Sequence, residues 1–304
     1  MMGITVTPRA ETFFAEVDGV DLTVPMTRQG FAEIEAAFHQ HGVLLFRDQF
    51  ITDDQQVAFS EFFGPVFTAT KYAWRGEKPR LRSEMADISN IDHTGALQAE
   101  DDQRRLHARA NRLWHTDNTF KHVPARCSLL SAREIPSNGG NTQFADTRAA
   151  YDALLESRKR EIDGLIVEHS IEWSRQKTGF DDFSETAREG LPPVQQVLVR
   201  RLAETGRKAL YIASHASRII GWSDAAGRTL LDELVDFATQ PRFVHEHVWR
   251  EGDLIVWDNR RTMHRAMPYD EMAERRVLHR TTVSDEMNSV ERAAIETPAL
   301  QGAG

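Results

Sequence analysis

The sequence predicts a mainly β fold, a sandwich or barrel of short strands with helices packed on its outside. Three observations predict it. Nine short runs with strand character follow residue 112, separated by turn-forming residues. Helical periodicity is confined to a few isolated segments. No apolar run approaches the roughly 18 residues that a membrane span needs.

Taken in chain order, Thr27 to His41 sets Phe31, Ile34, Ala37 and Phe38 on one stripe of a helix that Gly42 ends. Val43 to Phe46 reads as a buried strand. Thr52-Asp53-Asp54-Gln55 is a capping box that opens a helix running to Phe63, before Gly64-Pro65. From about 86 to 112 the chain is polar and charged, which predicts a long active-site loop. Strands are then expected at Leu113–Asn118, Arg126–Ala132, Thr142–Ala145, Leu165–His169, Val194–Arg200, Ala209–Ser214, Phe243–Trp249, Asp253–Trp257 and Arg276–Val283. Helices at Thr147–Leu155 and Ser223–Thr239 interrupt them. Residues 285–304 carry little that packs and read as a peripheral tail. With no repeat and no linker, 1–304 reads as a single domain.

Composition narrows the function classes. The 304 residues carry a net charge of −9, with pI near 5.8. A nucleic-acid partner would need a basic face, which this balance argues against. An anionic small molecule remains compatible, because a few arginines can dominate one pocket. Mean hydropathy is −0.48 and the start, MMGITVTPRAET, has no signal-like apolar core, so a cytoplasmic protein without membrane attachment is expected. The one cysteine, Cys127, lies in an apolar run and reads as a small buried hydrophobe.

Of twelve histidines, only His115 has a carboxylate two positions later, Asp117. On a strand, residues i and i+2 share a face, so both side chains aim at one point. A distant histidine would complete a two-histidine, one-carboxylate triad, which leaves half of an octahedral Fe(II) shell open. Chance alone yields about one His-x-Asp among twelve histidines, so the tripeptide by itself identifies nothing. Candidates for the third ligand are His169, His215, His245, His247, His264 and His279. Further on, Arg276 and Arg280 lie on one face of a strand, about 13 Å apart at about 3.3 Å per residue. Inward arginines are costly unless they meet anions.

Read jointly and in order, Trp114-His115-Thr116-Asp117, Gly139-Gly140-Asn141-Thr142, Trp257-Asp258-Asn259-Arg260, His264 and Arg276-Val277-Leu278-His279-Arg280 resemble the taurine/2,4-dichlorophenoxyacetate dioxygenase family. The likeness spans nearly the whole chain, with Asp54–Phe59, Phe63-Gly64-Pro65, Ala86–Asn90, Ala149–Leu154 and His215–Ser217 adding to it. Ala86–Asn90 and His215–Ser217 point to the aryloxyacetate branch. The resemblance implies a double-stranded β-helix, the cupin-like jelly roll, braced by helices. It implies that His115, Asp117 and His264 hold Fe(II), with 2-oxoglutarate and O2 as co-substrates. Thr142 and Arg276 would hold the distal carboxylate of 2-oxoglutarate, with Arg275 competing for the second role and an exchange of roles between Arg276 and Arg280 as the alternative. Arg280 would sit near the substrate anion, and Asn111 and Lys71 match substrate-facing positions. His279, on the opposite face of its strand, reads as structural, and Trp114 and Trp257 as core aromatics.

The implied substrate is an aryloxyacetate such as 2,4-dichlorophenoxyacetate, yielding a phenol and glyoxylate beside succinate and CO2. A homo-oligomer is implied as well. Taurine, another alkylsulfonate or a sulfate ester is the alternative substrate. A non-catalytic cupin-like metal-binding protein is the alternative class, and the Thr142 and Arg276 pair argues against it. A zinc hydrolase lacks a separate glutamate placed as general base.

Overall fold

A computed structural model describes residues 3–68, 79–180 and 183–296. In chain order its elements are β1 (Thr5–Pro8), β2 (Ala15–Asp18), α1 (Arg28–His41), β3 (Val43–Phe46), α2 (Asp53–Ser60), β4 (Met85–Ser89) and α3 (Gln103–Ala108). Then come β5 (Ala125–Glu134), β6 (Thr142–Asp146), α4 (Thr147–Asp152), α5 (Glu156–Ile162), β7 (Ile166–His169), α6 (Ile171–Gln176), α7 (Glu185–Gly190), β8 (Val194–Val197), β9 (Val199–Arg201), β10 (Lys208–Leu210) and β11 (Ala216–Ile219). The chain closes with α8 (Asp224–Ala238), β12 (Val244–His247), β13 (Leu254–Asp258), β14 (Thr262–Ala266), β15 (Val277–Ser284) and α9 (Ser289–Glu296).

The larger sheet has the order β1-β2-β3-β13-β5-β15-β4, and a smaller one the order β12-β6-β14. β13 is buried along its whole length, as the unbroken apolar run Leu254–Trp257 requires of a strand covered on both faces. One face of the larger sheet, with Leu44, Phe46, Leu129, Leu254 and Val256, packs under Phe31, Ile34 and Phe38 of α1 and Phe59 of α2. Its other face, with Val43, Leu45, Leu130, Ile255, Trp257 and Leu278, meets Phe144 of β6. The Phe144 and Trp257 rings lie 5.7 Å apart, so the two sheets share one inner core.

Local signals explain the bracing helices. Thr27 caps α1, accepting from the Gly30 N–H, and Gly42 ends it at φ 77°. Thr52 and Gln55 form the expected capping box on α2. Among the described residues, no helix is long and apolar enough to cross a membrane.

Several expectations are corrected. The stretch 86–112 is not one loop. It opens within β4, whose Ile88 pairs with Leu278 of β15, and closes in α3 and a 3-10 turn at Arg109–Arg112. β4 lies at the edge of the larger sheet, and Asp87 in it is exposed. Leu113–Asn118 is not a strand: the chain makes a single bridge at His115 and then turns, with Asn118 at φ 54°. The run Val194–Arg200 divides into β8 and β9, and Ala209–Ser214 is strand only to Leu210, with β11 following it. Nor does the peripheral tail begin at 285. Asp285, Asn288 and Ser289 are buried, Asp285 pairs with Arg200, and the Ser289 hydroxyl donates to Gln196 Oε1 at 2.5 Å. Lys71 lies outside the described residues.

Candidate metal and anion site

His115 and His264 meet through their backbones. The His115 N–H donates to His264 O at 3.0 Å, and the His264 N–H returns the bond at 2.8 Å. This bridge extends the smaller sheet beyond β14 and leaves the imidazole centroids 4.1 Å apart. His264 itself lies within β14 opposite Phe144, so the sheet register carries it into the inner core. Asp117 enters from the turn after His115. Its backbone N–H donates to Asn259 Oδ1 at 3.2 Å.

One ligand atom from each of His115, Asp117 and His264 can be chosen so that all three lie within 4.8 Å of one another. Asp117 Oδ1 is 4.0 Å from His115 Nε2, and Asp117 Oδ2 is 3.9 Å from His264 Nε2. Two donors each about 2.1 Å from one ion lie at most about 4.2 Å apart, so these separations fit a shared cation. The donor set fits too. The 2.8 Å contact between His115 Nδ1 and Leu113 O makes Nδ1 the protonated nitrogen and leaves the Nε2 lone pair for a metal. Burial pushes the pKa of both imidazoles down, which keeps them neutral. For Asp117 burial acts upward, but Arg280, His264 and His115 outweigh it and hold the carboxyl at about 2. Two neutral imidazoles and a carboxylate are the donor types that a facial Fe(II) site uses.

The carboxylate is held by its surroundings. Ser128 Oγ donates to Asp117 Oδ2 at 2.7 Å and Arg280 Nη1 to Oδ1 at 2.6 Å. Asn259 links the parts: its Nδ2 donates to Ser128 Oγ at 2.9 Å and its Oδ1 accepts from Trp257 Nε1 at 3.0 Å.

A second centre lies where β15 begins. Arg275 turns outward to Glu134 at 2.8 Å, whereas Arg276 is buried. Its Nε donates to Gly140 O at 2.9 Å, and its backbone N–H to Asn90 Oδ1 at 2.8 Å. Among the described residues no carboxylate pairs with it, and burial lowers its pKa to about 10. The two glycines make this approach possible. Gly139 and Gly140 sit at φ 76° and 67°, and a Cβ on Gly140 would stand 2.8 Å from Pro136 Cγ and 3.2 Å from Arg276 Nε. Two residues on, Thr142 Oγ1 accepts from Trp249 Nε1 at 3.0 Å.

The structure thus brings together His115, Asp117, His264 and Arg280, and sets Arg276 beside the strand that begins at Thr142. Asn111 is half-buried in the 3-10 turn before His115. His279 bonds Asp53 on the other side of its strand at 2.8 Å, Trp257 is buried, and Trp114 is half-buried beneath Arg265 at 4.6 Å. Sequence reasoning missed the roles of Ser128, Asn259 and Trp249, none of which has a local signal. It also missed Arg175, whereas His215, a candidate third ligand in the sequence, lies beside the triad and not in it. The His215 ring stands 6.4 Å from His115, with Nε2 buried and without a partner among the described residues.

Comparison with known proteins supplies the context. Residues 5–282 match the model of the taurine catabolism dioxygenase TauD, TfdA family. The chain is 40% identical to an alpha-ketoglutarate-dependent 2,4-dichlorophenoxyacetate dioxygenase of Cupriavidus pinatubonensis, over 93% of this chain and 99% of that one. It is 36% identical to a (S)-phenoxypropionate/alpha-ketoglutarate-dioxygenase of Sphingobium herbicidovorans, over 92% and 94%. The crystal structure of AAD-2 in complex with Mn(II) and N-oxalylglycine superposes with a TM-score of 0.87 at 41% identity, covering 95% of this chain and 99% of that one. The facing sheets described above are accordingly those of a jelly roll.

Proposed function

The chain belongs to the taurine catabolism dioxygenase TauD, TfdA family, and on that premise we propose an Fe(II)- and 2-oxoglutarate-dependent dioxygenase that hydroxylates an aryloxyacetate of the 2,4-dichlorophenoxyacetate kind. The convergence of His115, Asp117 and His264 on one buried point carries this reading. With O2, the bound iron and 2-oxoglutarate supply oxidative decarboxylation to succinate and CO2 and hydroxylation of a substrate C–H bond. On an ether carbon that hydroxylation gives a hemiacetal, which breaks down to a phenol and glyoxylate.

The residues of this chain bind and orient. His115 and His264 offer neutral nitrogens and Asp117 a carboxylate, while Ser128 and Arg280 fix the rotation of that carboxylate. Arg276 and Thr142 are assigned the distal carboxylate of 2-oxoglutarate. This assignment is supported by the burial of Arg276 without a carboxylate partner and by its contact with Gly140, two residues before Thr142. Arg280 is assigned the substrate anion, a role supported by its position beside Asp117, with Asn111 and Lys71 as further substrate contacts. One catalytic unit over 1–304, cytoplasmic residence and assembly with further copies of the chain complete the reading.

The test is an anaerobic titration with Fe(II) and 2-oxoglutarate, followed by succinate release on adding 2,4-dichlorophenoxyacetate and O2. Wild type is expected to develop a visible metal-to-co-substrate band and coupled turnover, and Asp117→Ala to show neither. Substantial succinate formation by iron-loaded Asp117→Ala would overturn the scheme. Preference for taurine or a sulfate ester over every aryloxyacetate would move the substrate but keep the chemistry.

A further inference from the structure

Seven arginines are buried among the described residues: Arg105, Arg148, Arg175, Arg200, Arg260, Arg261 and Arg276. Five of them pair with a carboxylate: Arg105 with Glu271, Arg148 with Asp146, Arg200 with Asp285, and Arg260 and Arg261 with Asp258. Arg175 and Arg276 have no carboxylate partner among the described residues. A guanidinium taken out of water without a counter-ion is strongly disfavoured, so each of these two positions is suited to receive an anion. The proposed function gives Arg276 the co-substrate and leaves Arg175 unexplained.

Arg175 is placed by α6. Ser170 caps that helix, accepting from the Trp173 N–H at 3.2 Å, and Ser174 Oγ meets Ser214 Oγ at 3.0 Å. That bond sets the last turn of α6 beside His215, the residue whose ring faces His115. The Ser214 N–H in turn donates to Trp114 O at 2.9 Å, tying the same wall to the segment that carries His115 and Asp117. Arg175 Nε donates to His107 Nε2 of α3 at 3.0 Å. His107 is held neutral by burial and by this neighbouring charge, its pKa near 2, so it accepts and orients but does not neutralise. Neither Nη group of Arg175 makes a hydrogen bond among the described residues. Arg280, a further cation near the triad, already donates to Asp117.

We propose that Arg175, positioned by His107, receives the carboxylate of the substrate in the metal pocket and so selects anionic aryl ethers over neutral ones. This rests on the dioxygenase reading above. It adds a substrate-binding residue from α6 to the cations on β15.

The test uses the iron- and 2-oxoglutarate-loaded full chain, as wild type, Arg175→Met and Arg175→Lys. Substrate affinity is read anaerobically from the change in the visible band, and KM from succinate release. Two ligands are compared: 2,4-dichlorophenoxyacetate, and 2,4-dichloroanisole, a neutral ether without the carboxylate. Arg175→Met is expected to weaken aryloxyacetate binding on the order of 100-fold and Arg175→Lys about tenfold, with affinity for the anisole and for 2-oxoglutarate unchanged. The thermal midpoint of Arg175→Met is expected to equal or exceed that of wild type, because an unpaired buried charge has been removed. Unchanged aryloxyacetate affinity in either variant, or an equal loss for the anisole, overturns the inference. Where Arg175→Met does not fold, the carboxylate-selective loss in Arg175→Lys decides alone. Wild type that shows neither band nor turnover overturns the dioxygenase reading and this inference together. An active wild type with indifferent variants overturns only the inference.

Discussion

At the scale of single residues, the three proposed metal ligands depend on neighbours outside the triad. Asn259 holds Ser128, the Asp117 backbone and the Trp257 indole at once, so its loss frees the Asp117 carboxylate to rotate. Outer-shell partners of this kind are worth about 10- to 100-fold in metal affinity. Asn259→Ala is therefore expected to weaken Fe(II) or Mn(II) binding by about that factor, measured by anaerobic calorimetric titration. Ser128→Ala should act in the same direction but less, since the Arg280 contact remains. Gly140 presents a different constraint. A methyl group there meets a positive φ and the Arg276 side chain together. Gly140→Ala should raise KM for 2-oxoglutarate at least tenfold by displacing that guanidinium, a shift of about 1.4 kcal/mol. An unchanged 2-oxoglutarate KM in this variant would separate Gly140 from the co-substrate site.

At the scale of elements, the turn between β13 and β14 delivers His264, and α1 anchors that turn. Arg261 donates to His39 O at 2.8 Å and to Phe38 O, and pairs with Asp258 at 3.1 Å. It thereby satisfies the last carbonyls of α1 beside Gly42, whose Cβ, were there one, would stand 2.9 Å from Arg261 Nε. Arg261→Met is expected to cost about 3 kcal/mol, as breaking a buried pair does. Gly42→Ala disturbs the same guanidinium, so the double variant should lose less than the sum of the two, as read from urea midpoints. This turn also shows where legibility ends. β13 is evident as an apolar run, whereas Arg260 to Arg265 carries three arginines and conceals β14. Those charges lie within a fold that pairs them, and pairing between distant segments leaves no local pattern. The same limit applies to the triad. His115 and Asp117 are visible as a motif, yet they converge through a turn and a bridge to β14 rather than along a strand. The choice of His264 among six histidines came from the family pattern, not from spacing. Asp102 as a cap is readable within the polar stretch 86–112; the edge strand β4, which has no alternating pattern, and Arg175, on a short helix without periodicity, are not.

At the scale of the whole molecule, one network of buried charge joins segments far apart in the chain. Asp258 accepts from Arg260 at 2.8 and 2.9 Å, Arg260 reaches Glu204 at 2.6 Å, and Arg200 holds Asp285 after β15. Burial pushes all three carboxyls upward. Arg260 with Arg261 at Asp258, Arg260 at Glu204, and Arg200 at Asp285 outweigh it and hold them below their ordinary values. The sign of the linkage follows. A carboxyl whose pKa is lower in the folded state stabilises fully above its unfolded pKa, about 4. Below that, the unfolded chain takes up a proton that the folded chain refuses, and up to about 1.4 kcal/mol per pH unit is lost for each group until the folded pKa is passed. Stability is therefore expected to be level for this network above about pH 5 and to fall progressively below pH 4. Asp258→Asn removes the most deeply held of the three. It should be less stable than wild type at pH 7 and show a shallower decline between pH 4 and 2, so that the two curves of unfolding free energy against pH converge in acid. Curves that run parallel over that interval would show that Asp258 contributes through shape rather than charge.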